Sequence, residues 1–147
     1  MAEQGEIRSV WDQVEEIKKT LENLSIEQTK AEVDANDDGT MVIDIREIQE
    51  RVDSGAIPGS THVARGMLEF WADPKSPYYR DYFTTDKRYV IYCAGGGRSA
   101  LAAQALKDMG FPNVAHVEEG FTGWANAGLP VEDVASTSRW IRRPKNS

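Results

Sequence analysis

The stretch Tyr89-Val90-Ile91-Tyr92-Cys93-Ala94-Gly95-Gly96-Gly97-Arg98-Ser99, running on into Ala100 to Met109 and Gly110, decides how the chain is read. Four apolar or aromatic residues in a row form a buried strand. A cysteine ends it, three glycines follow, and an arginine and a serine lead into an Ala- and Leu-rich helix with a glycine stop. Strand, glycine loop and helix in that order belong to an α/β sheet, where ligands bind at the carboxyl ends of strands.

Working outward, the same alternation continues. Met41-Val42-Ile43-Asp44-Ile45 is a short apolar run after a turn at Asp34 to Gly39, and Arg46 to Asp53 reads as a helix stopped near Gly55. Ile57-Pro58-Gly59 is a tight turn. Thr61 to Ala64 reads as a strand and Met67 to Trp71 as a helical turn. Asp73 to Tyr82, with two prolines and three tyrosines, reads as an ordered surface excursion. Val114 to Val117 is a further strand, and Phe121 to Ala127 a short helix ended by Gly128. Strands alternating with helices predict a mainly parallel sheet covered on both faces.

Before this body, Ile7, Val10, Trp11, Val14, Ile17, Leu21 and Leu24 recur at spacings of three and four, which predicts a one-sided helix over Ile7 to Leu24. Ser25-Ile26-Glu27-Gln28 matches a capping box and predicts a second helix over Ile26 to Val33. The expected organisation is therefore an amphipathic helical extension over 1–24, one α/β domain over 25–131, and a basic tail over 132–147, expected to be flexible. Whether the first helix packs on the domain or joins two copies is left open, as is the oligomeric state.

With 147 residues the chain has room for one core. The net charge of −7 is unevenly spread. The first forty residues carry eleven acids against four bases, while Arg139, Arg142, Arg143 and Lys145 leave the last twelve purely basic. An acidic body repels phosphate backbones, so no nucleic-acid partner is expected. No apolar run reaches membrane-spanning length and Met1 to Ile7 has no signal-like apolar region, so a cytoplasmic location is expected. A single cysteine excludes an internal disulfide, and with only His62 and His116 besides, no metal site is expected. Asp34-Ala35-Asn36-Asp37-Asp38-Gly39 imitates the start of a calcium loop, but Ile45 stands where the closing bidentate glutamate belongs, so it reads as a turn. His62 and His116 read as packing or surface residues, and Trp11, Trp71, Trp124 and Trp140 as core or interface anchors.

Chemistry concentrates on Cys93. Consecutive N–H groups in a tight loop form an anion-binding nest, the following helix directs its positive end to the same point, and Arg98 adds a charge and a planar fork of donors. Such surroundings favour thiolate over thiol, bringing cysteines from about 8.5 to roughly 3.5–7.5. Ala94, Gly95, Gly96, Gly97, Arg98 and Ser99 are accordingly the candidate anion-binding loop around a nucleophilic Cys93. Ser99 could donate to the thiolate or cap the helix. Arg98 could clamp an anion or pair with a nearby acid.

At this point the residues resemble the rhodanese-like sulfurtransferases. Cys93 to Ser99 fits that family's C-x-x-G-x-R-S loop. Val42-Ile43-Asp44-Ile45-Arg46 resembles its first strand with the Asp-x-Arg signature. Gly55-Ala56-Ile57-Pro58-Gly59-Ser60 resembles its G-H-I-P-G-A turn with Ala56 in place of histidine, and Glu119-Gly120-Phe121-Thr122-Gly123-Trp124 its closing G-G-x-x-x-W segment with Glu119 in place of the first glycine. The resemblance spans Ser25 to Val131 and implies a five-stranded parallel sheet flanked by helices. It also implies transfer of sulfane sulfur from a small anion such as thiosulfate to cyanide, a thiol or a sulfur-accepting protein through a Cys93 persulfide, with no cofactor. Asp44, Arg46 and Arg65 are candidate supporting or pocket residues, with a surface pair to Glu69 as the other reading of Arg65. Two alternatives stay open: a persulfide-carrying or regulatory binding module, and a cysteine-dependent phosphatase or arsenate reductase. Against the second, four residues separate Cys93 from Arg98 where phosphatases of this type have five, which makes a smaller cradle.

Overall fold

The computed structural model describes residues 5–136. The basic residues Arg139, Arg142, Arg143 and Lys145, with Trp140, lie outside the described residues, so the expectation of a flexible tail finds no answer there.

Five strands form one sheet: β1 (Glu22–Leu24), β2 (Thr40–Asp44), β3 (Thr61–His62), β4 (Arg88–Tyr92) and β5 (Val114–Val117). Their order is β1-β5-β4-β2-β3 and every pair is parallel. Among the described residues six helices surround it: α1 (Val10–Lys18), α2 (Ile26–Ala35), α3 (Ile48–Ser54), α4 (Leu68–Ala72), α5 (Gly97–Met109) and α6 (Gly120–Asn126). A 3-10 turn at Arg65–Met67 leads into α4. Among the described residues no helix is long and apolar enough to cross a membrane.

Alternation along β4 sorts the core into two layers. Tyr89 and Ile91 point into one cluster with Val14, Leu68, Ala100, Ala103 and Leu106. Val90 and Tyr92 point into the other with Leu24, Ile57, Phe121 and Trp124. Cys93, one residue beyond the strand, keeps this alternation and falls in the first cluster beneath α5.

Local signals act where they were expected. Ser25 and Gln28 close a reciprocal capping box at the start of α2. Gly110 ends α5 at φ +110, and Asn36 ends α2 at φ +47. The imitation calcium loop is a turn in which the Asp37 carboxylate accepts from Gly39 N–H at 2.7 Å.

Two readings need correction. The helix expected over Ile7 to Leu24 covers only Val10–Lys18, and Glu22–Leu24 is the edge strand β1, paired with β5. Leu21 and Leu24 have helical spacing from Ile17, but Leu24 is buried by sheet pairing and not by a helix face. Thr61 to Ala64 shortens to the two-residue β3, since Val63 N–H bonds Asp44 C=O and Arg65 N–H bonds Ile45 C=O beyond the regular ladder. The first helix packs on the domain. Val14 is buried against the α5 layer, Lys18 pairs with Glu118 at 2.8 Å, and Lys107 donates to Thr20 C=O at 3.0 Å.

Below the far face lies a buried charge hub. Asp44 accepts from Arg46 Nε and Nη2, from Arg51 Nη1 at 3.1 Å and from the Tyr92 hydroxyl at 3.0 Å. Arg46 is also bonded to Gly55 C=O at 2.7 Å and lies over the Phe121 ring. Burial works most strongly against its charge, but the hydrogen bonds to Asp44 together with the nearby charges of Asp44, Tyr92 and Glu50 outweigh it and raise its pKa. Removing one partner from such a cluster strands the others. Asp44→Ala should lower unfolding free energy by about 3–5 kcal/mol, measured by urea titration, and a loss below about 1 kcal/mol would show that the two arginines find other partners.

Candidate active site

Cys93 stands at the carboxyl end of β4, almost wholly buried, with its loop closing into α5. Two backbone donors aim at its sulfur: Gly96 N–H at 3.1 Å and Ser99 N–H at 3.4 Å. These place positive dipole ends on Sγ at the first turn of a 13-residue helix.

The loop holds this shape because its carbonyls are tied outward. Phe121 N–H bonds Cys93 C=O at 2.8 Å and Thr122 N–H bonds Ala94 C=O at 3.0 Å, both from the start of α6. Gly96 turns the chain at φ +100, and a Cβ there would meet Glu118 C=O at 2.2 Å. Gly120, at φ +60, lets α6 approach so closely that a Cβ would lie 2.5 Å from Ala94 C=O. Those two positions require glycine. Glu119, which replaces a family glycine, has ordinary helical angles and needs none. A Cβ on Gly95 would meet no atom within 4 Å, so that residue is open toward the mouth, whereas one on Gly97 would meet the tip of Trp11 at 3.0 Å.

The candidate residues separate into two groups. Cys93 and the loop Ala94, Gly95, Gly96, Gly97, Arg98 and Ser99 surround one sulfur. Asp44 shares the opposite sheet face with Tyr92, and its carboxylate and the Arg46 guanidinium satisfy each other in the charge hub. Arg65 pairs with Glu69 at 2.6 Å, one turn along. Arg98 pairs in fork-to-fork fashion with Glu50, at 2.8 and 2.9 Å. The hydrogen bonds from Arg98 hold the Glu50 carboxyl down to about 2, and those to Glu50 raise the arginine in turn. Arg98, the charged residue of the loop, and Arg65 thus each carry a partner already. Among the described residues, no three His, Cys, Asp or Glu side chains converge as metal ligands.

Sequence reasoning missed His116. It pairs in register with Ile91 and so lies under α5 on the Cys93 face. The ring is fully buried. Its Nδ1 is 3.0 Å from Ser99 Oγ, its Nε2 is 2.7 Å from Asn23 Oδ1, and Cys93 Sγ is 3.6 Å from the same Ser99 oxygen. Burial pushes the imidazole down to about 4, with Glu118 pulling it up and Lys18 pushing it further down. Ser99 and His116 are 17 positions apart, and Asn23 and His116 are 93 apart, so no local pattern signals the cluster.

These features coincide with a known family. A family model for the rhodanese-like domain matches residues 25–127, and the chain belongs to that family. A Bacillus subtilis protein named as a candidate sulfur carrier is 32% identical over 105 residues, covering 71% of this chain and 51% of its own length, so the chain spans about half of that relative. Among solved structures, a Rhodopseudomonas palustris protein of unknown function, described as a possible tyrosine phosphatase, superposes with a TM-score of 0.83 at 42% identity, covering 90% of this chain and all of that one. A thiosulfate sulfurtransferase from Pseudomonas aeruginosa superposes with a TM-score of 0.67 at 27% identity, over 84% of this chain and 22% of its own.

His116 also sets a pH dependence. An unfolded histidine takes its proton near 6.5, whereas this one waits until about 4. Between those values the unfolded chain binds the extra proton, so stability is full above about 6.5, falls with acidification and levels below about 4. The loss amounts to about 3 kcal/mol. Urea titrations at pH 7 and pH 5 should show a smaller acid loss in His116→Gln than in the native protein, and equal losses would contradict a buried neutral ring.

Proposed function

We propose that the protein moves sulfane sulfur from a small anionic donor such as thiosulfate to a thiophilic acceptor, cyanide or a thiol, through a persulfide on Cys93. The observation that carries this reading is the pair of amide donors converging on one buried sulfur at the end of β4. In the first half-reaction the Cys93 thiolate attacks the outer sulfur of thiosulfate. The S–S bond of the donor breaks, sulfite leaves with the electron pair, and Cys93–S–S⁻ remains. In the second, the acceptor attacks the terminal sulfur and Cys93 leaves as thiolate. This is covalent catalysis in two steps. The charge that forms on either sulfur meets fixed N–H dipoles that need no rearrangement. All the chemistry resides in the cysteine, so no cofactor is required. Membership of a sulfurtransferase-bearing family supports the reading.

The description of one structural neighbour as a possible tyrosine phosphatase makes phosphate-ester hydrolysis the competing reading. The spacing of Cys93 and Arg98 and the engagement of Arg98 by Glu50 both argue for the smaller ligand. Intact mass after thiosulfate treatment should show one added sulfur that cyanide removes and that Cys93→Ser never acquires. Cys93-dependent hydrolysis of a phenyl phosphate, with no sulfur adduct, would replace the proposal by the phosphatase.

Because Glu50 occupies Arg98, the one charged residue of the Cys93 loop has its charge already paired as an anion arrives. The Michaelis constant for thiosulfate should therefore be well above micromolar. Glu50→Gln should release Arg98 and lower it by about threefold to tenfold at low salt. A rise on that substitution would mean that the ion pair holds the loop in shape and Arg98 never meets the donor.

A further inference from the structure

The inner end of the site contains a chain of hydrogen bonds whose direction can be worked out. Asn23 donates both amide protons, to Lys18 C=O at 3.0 Å and Leu21 C=O at 3.2 Å. Its Oδ1 is therefore the end that faces His116 and accepts from Nε2–H at 2.7 Å. A neutral ring with its proton on Nε2 has a bare Nδ1, which must accept from the Ser99 hydroxyl at 3.0 Å. With its single proton committed there, Ser99 turns lone pairs to Cys93 and accepts from the thiol at 3.6 Å. Every bond in the row points away from sulfur.

We propose that Ser99 and His116 form an internal proton relay through which the buried Cys93 thiol ionises, with His116 a positioning residue that acts on the sulfur through Ser99. The proposal rests on the reading of Cys93 as the nucleophile. In the step, the S–H bond breaks and its proton binds Ser99 Oγ while the original hydroxyl proton binds His116 Nδ1. No electrons change hands. The thiolate then accepts from three donors, Gly96 N–H, Ser99 N–H and the reversed Ser99 O–H. The imidazolium donates to Ser99 Oγ and Asn23 Oδ1.

The charged groups facing the ring come from each packed element. Cys93 and Ser99 lie on the α5 side, Glu118 just beyond β5 has an oxygen 3.6 Å from Nε2, and Lys18 on α1 is tied to the same carboxylate; Asn23 on β1 is neutral. Burial keeps the resting ring neutral, so its bare Nδ1 accepts the Ser99 hydrogen bond, and it makes the imidazolium a minor state that the neighbouring charges can raise or lower. Lys18 is 18% exposed and Glu118 43%, so both can be changed with little disturbance to the core.

A proton that stays inside the protein makes thiolate in an amount that solvent pH does not alter. The rate of Cys93 alkylation by iodoacetamide should therefore level off between about pH 7 and 5.5, at a level below that of the fully ionised thiol at high pH, whereas simple ionisation to solvent loses tenfold per unit below the thiol's own pKa. Lys18→Met should raise that plateau by about threefold and Glu118→Gln should lower it by about threefold, by easing and opposing the imidazolium. Both variants break the Lys18–Glu118 pair, so a merely structural role would move them alike. A direct field on sulfur would give the opposite signs. Ser99→Ala should abolish the plateau and leave the tenfold-per-unit fall. A native rate that falls tenfold per unit down to pH 5.5, or variants that shift with the direct-field signs, would overturn the relay. Alkylation reports ionisation alone and the thiosulfate mass shift reports sulfur uptake, so failure of one is distinguishable from failure of the other.

Discussion

Two hydrogen bonds from α6 to the carbonyls of Cys93 and Ala94 set the terms for the rest of the site. A loop has as many carbonyls as amides, and both need partners. Because the carbonyls are drawn outward by Phe121 and Thr122, the amides of Gly96 and Ser99 are left to face the sulfur. The close approach that allows this depends on Gly120 and Gly96, whose hydrogens stand where any side chain would strike backbone oxygen. Glycine is needed at those two points for contact and angle together. At Gly95 the space is open, and neither contact nor angle requires glycine there.

The sheet divides polar labour between its faces. On the Tyr92 side, one carboxylate serves two arginines and a phenol, an arrangement that fixes the turn after β2 against Gly55 and Ser60. That cluster is rich in charge yet contains no atom able to attack sulfur. On the Cys93 side Ser99 and His116 are buried polar groups beneath α5, and both lead to the Cys93 sulfur. The strong ion pairs thus lie on one face and a neutral hydrogen-bond row on the other. The charge of the loop itself is moderated in a third way, by pairing Arg98 with an acid that solvent can reach.

How much of this could be read from residue order depends on how local each signal is. The β4–loop–α5 unit is contiguous, and its glycines, helix formers and stop were all legible. So was the capping box at Ser25 and the stop at Gly55. The pairing of Arg65 with Glu69 was visible as one turn of helix. The three-residue β1 was not, because its only hydrophobic anchor, Leu24, happens to continue a helical spacing and its identity as a strand comes from pairing with β5. Glu50 as partner of Arg98 lies 48 positions away, and the Asn23–His116–Ser99 row joins three elements that only the sheet order β1-β5-β4 brings side by side. A lone histidine in an apolar strand reads as packing until its neighbours are known.

That strand order also explains why the N-terminal segment matters to the chemistry. β1 is the sheet edge beside β5, and it carries Asn23, whose amide orients His116. The turn before it is fixed by the same Asn23 amide donating to Lys18 and Leu21 carbonyls, and α1 above brings Trp11 over Gly97 and Lys18 to Glu118. One asparagine therefore couples the packing of α1 and β1 to the tautomer of a buried ring on the neighbouring strand. Were Asn23 replaced by an apolar residue, the ring could carry its proton on either nitrogen, and with the proton on Nδ1 the row would reverse and present the Ser99 hydroxyl to sulfur as a donor. The direction of the row is thus a property of the edge strand. The segment that resembles a simple helical extension supplies the constraint that decides how the Cys93 sulfur is hydrogen-bonded at rest.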